Sequence, residues 1–168
     1  MRSTLMGLLV LAVGCTRLPP PPTVDELDLS RYAGRWYEIA SLPRWFQRGC
    51  RGTEAEYRLR EDQTIEVINS CWRGEPERYD QAHATAWRPD PKFPGRLKVQ
   101  FFWPFAADYW VFQLDPTYQW ALVGSPDRSG LWILSRQPTL DDPIVNRLTQ
   151  WAHEQGFDTD AMRPTLPH

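Results

Sequence analysis

The chain has 168 residues, 19 Lys and Arg against 21 Asp and Glu, and a net charge of −2, so neither its balance nor any basic run points to nucleic acid. Nine Trp, six Tyr and seven Phe make rings a main material of its core or of a pocket. About 140 residues beyond a proline-rich N-terminal stretch are enough for one domain with one core.

The first residues read as an address. Arg2 gives a weak positive start, Leu5 to Val13 is apolar, and Gly14-Cys15 follows. That run is too short to span a bilayer, which takes about 20 apolar residues. A small residue directly before a cysteine looks like a bacterial lipobox, which implies cleavage after residue 14 and acylation of Cys15. Leu11 sits one position further from the cysteine than in the usual pattern, and an ordinary signal peptide cut nearby, leaving a free thiol, is the competing reading. Thr16 after the cysteine resembles an outer-membrane sorting signal. Residues 15–28 contain Pro19, Pro20, Pro21 and Pro22 in a row and are expected to be an extended tether. The thirteen residues after Cys15 would reach roughly 40 Å at about 3.1 Å each. Residues 29–168 form the domain.

Short stretches rich in Val, Ile, Tyr, Phe and Trp then alternate with Gly, Pro, Asp and Arg clusters. They predict eight strands, at Arg35–Leu42, Thr53–Arg60, Thr64–Trp72, Tyr79–Arg88, Arg96–Trp103, Asp108–Leu114, Tyr118–Gly124 and Gly130–Arg136. Connections such as Glu61-Asp62-Gln63 are too short for crossover helices, so the strands form an antiparallel meander. One helix follows, with Asp142 as N-cap, Pro143 at the first turn and Gly156 at its end. Its apolar stripe of Ile144, Leu148, Trp151 and Ala152 needs a partner, and the outside of the sheet is the one available. That explains why Leu131-Trp132-Ile133-Leu134 is apolar on both faces. The fold expected is all-β, an eight-stranded up-and-down barrel with one C-terminal helix packed outside; closure removes the sheet edges, and an open sandwich is the alternative.

In a closed meander the first and last strands pair antiparallel, so Trp36 and Arg136 meet at one rim, where a guanidinium over an indole seals that end. The G-x-W of Gly34 to Trp36, Asp108-Tyr109 and Arg136 resemble the three short signatures of the lipocalin family. Trp36-Tyr37-Glu38-Ile39-Ala40, Val67-Ile68-Asn69, Gly124-Ser125-Pro126-Asp127-Arg128 and Leu131 to Arg136 are similar to its bacterial outer-membrane lipoprotein branch. Ala107 stands where that pattern has a threonine. The resemblance implies a carrier of fatty acids or lysophospholipids in envelope maintenance, lipid-anchored in the outer membrane and facing the periplasm.

Strand polarity gathers the loops at Pro43–Gly52, Arg73–Arg78, Pro104–Ala107 and Ser125–Ser129 at the opposite, open rim. Cys50 and Cys71 share that rim, and an even pair in an exported chain reads as a disulfide. The first of these loops holds Arg44, Trp45, Phe46, Arg48 and Arg51 with no acid, and Trp103-Pro104-Phe105 faces it. An aromatic mouth with a cationic edge suits an amphiphile. The expected pocket wall is Val67, Val99, Phe101, Trp103, Tyr109, Val111 and Trp120, with Tyr109 inward or outward according to strand parity.

No catalysis, metal or cofactor is expected. A barrel enzyme acting on a bound lipid would need an activated nucleophile, and a haem or metal carrier would have only His83 on a strand. A homodimer is left open.

Overall fold

The structure is a computed structural model that describes residues 18–167. Cys15 and the signal segment lie outside the described residues. A single turn of helix, α1 (Leu29–Tyr32), leads into eight long strands: β1 (Gly34–Ser41), β2 (Arg51–Leu59), β3 (Ile65–Arg73), β4 (Arg78–Trp87), β5 (Arg96–Phe102), β6 (Phe105–Leu114), β7 (Trp120–Gly124) and β8 (Leu131–Ser135). Helix α2 (Asp142–Glu154) and a two-residue strand, β9 (Arg163–Pro164), complete the chain.

Consecutive strands pair antiparallel, and β1 pairs with both β8 and β2, so the meander closes into a barrel. Closure is divided along β1. Its first half, Gly34–Tyr37, pairs with β2, and its second half, Tyr37–Ser41, pairs with β8. Where β1 and β2 part, the C-terminal tail enters the gap: Thr165 N–H donates to Ile39 O at 2.9 Å and Gly52 N–H to Leu166 O at 2.8 Å. The tail thereby satisfies backbone groups that two diverging strands would leave unpaired. This ninth strand was not expected from the sequence, because two residues ending in proline carry no strand pattern.

Two apolar layers result. Inside lie Trp36, Tyr57, Val67, Leu97, Val111 and Val123. Outside, Leu122, Leu131 and Ile133 meet Leu148 and Ala152 of α2. The double-sided apolar run of β8 thus faces the barrel interior with Leu134 and the helix with Ile133. Helix α2 begins one residue earlier than expected, with Asp141 at the N-cap and no side-chain cap bond, and Pro143 in its first turn. Gly156, at φ +84°, follows its end.

The proline-rich stretch departs from the expected free tether. Pro21 is buried, Val24 N–H donates to Val111 O at 3.0 Å, and the Arg88 guanidinium donates to Leu27 O at 2.8 Å. Gly95 has no room for a side chain, since a Cβ there would stand 2.9 Å from Val24 Cγ2. Extended prolines need no backbone donors, so they lie along a wall without stranding N–H groups. The chain is docked from Pro19, whose carbonyl accepts from Arg128 at 2.6 Å.

Candidate functional site at the open end of the barrel

One end of the barrel is sealed. Trp36 is fully buried, its indole N–H donates to Tyr32 O at 2.8 Å, and the Arg136 guanidinium lies 3.8 Å from its ring centroid. Arg136 also donates to the carbonyls of Arg31, Tyr32, Ala33, Arg35 and Tyr118 at 2.7–3.2 Å. Gly34 is required beside them: its φ is +97°, and a Cβ would approach Arg136 Nη1 to 3.2 Å. Above this seal, Tyr109 O–H bonds with Tyr32 at 2.7 Å and Tyr57 at 3.1 Å. Burial pushes all three phenols up, Tyr57 to about 12, so they stay neutral. Tyr109 therefore faces inward, and with buried Val67 and Val111 it forms a floor rather than an open wall.

Above the floor, inward positions narrow in size. Ala84 faces Val67, Ala86 faces Val99, and Val99 faces Ala107 across the strands. Val99 is half-buried, and Ala82 and Ala107 nearer the rim are exposed. Ala84 and Ala86 belong to the packed interior, whereas Ala82 and Ala107 open toward the rim.

On the rim, between β1, the β1–β2 loop and the C-terminal tail, a cavity of about 590 Å³ is lined by Glu38, Ser41, Arg44, Trp45, Gln47, Arg48, Thr53 and the tail residues Arg163 to Leu166. Glu38 is its polar centre. Ser41 donates to it at 2.8 Å, Thr165 at 2.7 Å and Gln47 at 2.6 Å, while Gln47 also accepts from the Trp132 indole at 3.1 Å. Burial pushes the Glu38 carboxyl up despite these three donors. One carboxylate thus ties the β1–β2 loop and the C-terminal tail to the barrel. Arg44 donates to Ser129 O and lies 5.5 Å from the Phe46 ring, and its buried Nε has no partner.

The expected site residues divide accordingly. Arg44, Trp45 and Arg48 line the cavity, and Phe46 stands beside it, 44% exposed. Phe101 is exposed at the rim, and Trp103 stands at the β5–β6 tip, 86% exposed, outside the cavity. Trp120 is on the other side of the wall: Ala121 holds the inward position, and Trp120 packs against the α2 layer with Arg147 5.0 Å from its ring. Arg51 lines a separate recess with Glu75 and Glu77, and Arg163 takes its place at the mouth. The β5–β6 loop expected at Pro104–Ala107 is mostly strand, because β6 begins at Phe105, which pairs with Phe102. Sequence reasoning missed Glu38, Ser41, Gln47 and Thr165. The polar residues Glu38 and Ser41 within an apolar strand were the available signal.

Cys50 and Cys71 are bonded, with Cα atoms 5.4 Å apart, and Arg73 adds a donor to Phe46 O at 2.8 Å. Closing a loop of sequence separation 21 contributes about 3 kcal/mol on the chain-entropy view. The loop that carries the cationic rim is thus held to β3. His83 is exposed on β4, and no group of His, Cys, Asp or Glu among the described residues is placed to hold a metal ion.

The sequence profile of the Lipocalin-like domain matches residues 27–167, nearly the whole of this barrel. The chain belongs to the lipocalin family. It is 38% identical over 155 residues to the outer membrane lipoprotein Blc of Vibrio cholerae, covering 91% of each chain. It is 40% identical over 151 residues to temperature-induced lipocalin-1 of Arabidopsis thaliana, covering 84% of this chain and 80% of the relative. In fold it is similar to insecticyanin of Manduca sexta, with a TM-score of 0.68 at 23% identity, covering 90% of this chain and 85% of that one.

Proposed function

We propose that this lipocalin binds a fatty acid or lysophospholipid, acyl chain inward and anionic headgroup at the rim. We further propose that it serves lipid maintenance in the bacterial envelope from the periplasmic face of the outer membrane, held there by an acylated Cys15. The mouth cavity carries the reading. Three guanidinium-bearing residues, Arg44, Arg48 and Arg163, border this cavity, and Arg44 is held there by its bond to Ser129 O and by the Phe46 ring. A phosphate or carboxylate pairs with guanidinium groups so placed, and the apolar barrel wall suits the tail. The V. cholerae relative, an outer membrane lipoprotein by name and 91% covered, supports the location.

Isothermal titration of the wild type and of R44Q/R48Q/R163Q, each against a lysophospholipid and an uncharged fluorophore of similar apolar size, tests the reading. Charge-assisted contacts of about 1.5–3 kcal/mol predict a loss of at least about tenfold for the charged ligand, with little change for the neutral one. An unchanged ratio of the two affinities refutes the headgroup assignment.

A further inference from the structure

Ten large apolar side chains are exposed among the described residues, and all but Phe93 belong to the open end of the barrel or the segments beside it. Phe93 sits in the β4–β5 turn at the sealed end, where Arg96 lies 4.1 Å from its ring. Exposed apolar residues are ordinary when scattered; gathered at one end they mark a contact surface. The gathering is steepest at the β5–β6 hairpin, where Phe102 is 78% exposed, Trp103 86% and Phe105 78%. Across the barrel mouth, Trp45 is 80% exposed.

We propose that this end docks on a phospholipid bilayer, with the β5–β6 tip entering the interfacial layer and the β1–β2 loop resting on the headgroups. Shape favours a bilayer. Trp110 pairs with Gly124 at the end of β7, yet β6 begins at Phe105, so on that side the hairpin overshoots β7 by five residues, about 17 Å at strand rise; on its other side β4 runs on beyond its pair of Thr85 with Gln100 to Arg78. A projecting tip of three rings enters a deformable layer, whereas a partner protein would need a matching hollow. The tip can do so cheaply because Phe102 and Phe105 pair across it, which limits the backbone groups carried unsatisfied into lipid. Tryptophan also favours the boundary between headgroups and acyl chains.

Charge agrees with shape. The loop Pro43–Gly52 carries no acid and presents Arg44 and Arg48 at the rim, as an anionic leaflet requires, while its Arg51 sits apart beside Glu75 and Glu77. Among the described residues the C-terminal tail does not cover the tip, since it lies in the β1–β2 gap. The N-terminal segment reaches the β7–β8 turn on the same side, where Arg128 holds Pro19 O. Cys15 precedes Pro19 by four residues, about 13 Å of extended chain. This last observation rests on the acyl anchor proposed above; the aromatic tip and the loop charge do not. With the mouth against the leaflet, an acyl chain moves between bilayer and barrel without crossing water.

The test uses the full chain in vesicles of phosphatidylethanolamine with a minority of phosphatidylglycerol, their diacyl lipids brominated near the headgroup end. Trp45 and Trp103 are the two tryptophans most exposed at the mouth, so the bromine-dependent quenching should fall about twofold in Trp103→Phe and persist in the outer-wall control Trp120→Phe. Equal quenching in wild type and Trp103→Phe, or none in either, overturns the proposal. So does a second copy as occupant: a dimer by light scattering that Phe105→Ser converts to monomer, without bromine quenching. Lysophospholipid titration of Phe105→Ser separates the two readings. Retained affinity with lost quenching leaves the cargo site standing and confirms the tip as the docking element, whereas quenching that survives in Phe105→Ser refutes that role for Phe105. Quenching in a wild type that binds no lysophospholipid sinks the cargo site and leaves the docking face.

Discussion

Replacing Arg136 tests whether the sealed end is held by a fork of donors or by charge alone. Arg136→Met removes the cation 3.8 Å from the Trp36 ring centroid and the donors to five carbonyls. The two shortest bonds, 2.7 Å to Arg31 O and 2.8 Å to Arg35 O, dominate. At the low end for charged hydrogen bonds, about 1.5 kcal/mol each, they sum to about 3 kcal/mol, and the ring contact adds about 1. Arg136 is half-buried, so water can reach some of the freed carbonyls, and the net expectation is about 3 kcal/mol. For a domain of this size that lowers Tm by about 6–12 °C. Arg136→Lys keeps the charge but has a point donor in place of the planar fork, and about 2 kcal/mol of the loss should remain. Urea unfolding followed by far-UV circular dichroism, at constant m value, measures both. Arg136→Lys within about 0.5 kcal/mol of wild type would refute the donor-fork account and leave charge as the cause.

Two other outcomes are expected. Because burial raises the Glu38 carboxyl above its ordinary value of 4.5, the folded chain binds more protons than the unfolded one between that value and the raised one, so stability falls as pH rises through this window. Glu38→Gln should abolish that slope in urea unfolding, and an identical slope in both proteins assigns it elsewhere. Cys15→Ser should abolish incorporation of labelled palmitate and release folded chain from membranes, and labelling that persists defeats the lipobox reading.

The fold was legible because its signals are local or set by topology. Alternation and short turns in Thr64–Trp72 or Arg96–Trp103 do not depend on distant residues, and once strands are sequential the meeting of Trp36 with Arg136 follows from pairing polarity alone. The double-sided apolar run of β8 announced the helix that covers it. What escaped was set by contacts distant in sequence or by irregular backbone. Trp120 escaped because β7, Trp120–Gly124, is apolar on both faces, one toward the interior and one toward α2, so its alternation alone does not say which residues point inward. The β5–β6 loop was drawn too long because Phe105-Ala106-Ala107 follows a proline, a loop signal that pairing with β5 overrides. Glu38 is invisible as a site because its three partners come from β1, the β1–β2 loop and a tail 127 positions away.

An antiparallel meander also separates the two tasks by the parity of its connections. The turns after β1, β3, β5 and β7 all fall at the open end, while α1, the start of β1 and the end of β8 fall at the other. The sealed end is dense in shared contacts: Arg136 alone joins the α1 segment, β1 and the β6–β7 turn, so a change there acts on the whole barrel. At the open end, Trp103 and Phe105 are bound to little besides their own hairpin. Substitutions at the rim can thus alter what the protein touches at small cost in stability, whereas substitutions at the seal alter whether the barrel persists. Glu38 is the exception that joins the two: it lies on β1 yet fastens the loop and tail that frame the cavity. Its replacement is the one change in this set that should move stability and ligand affinity together.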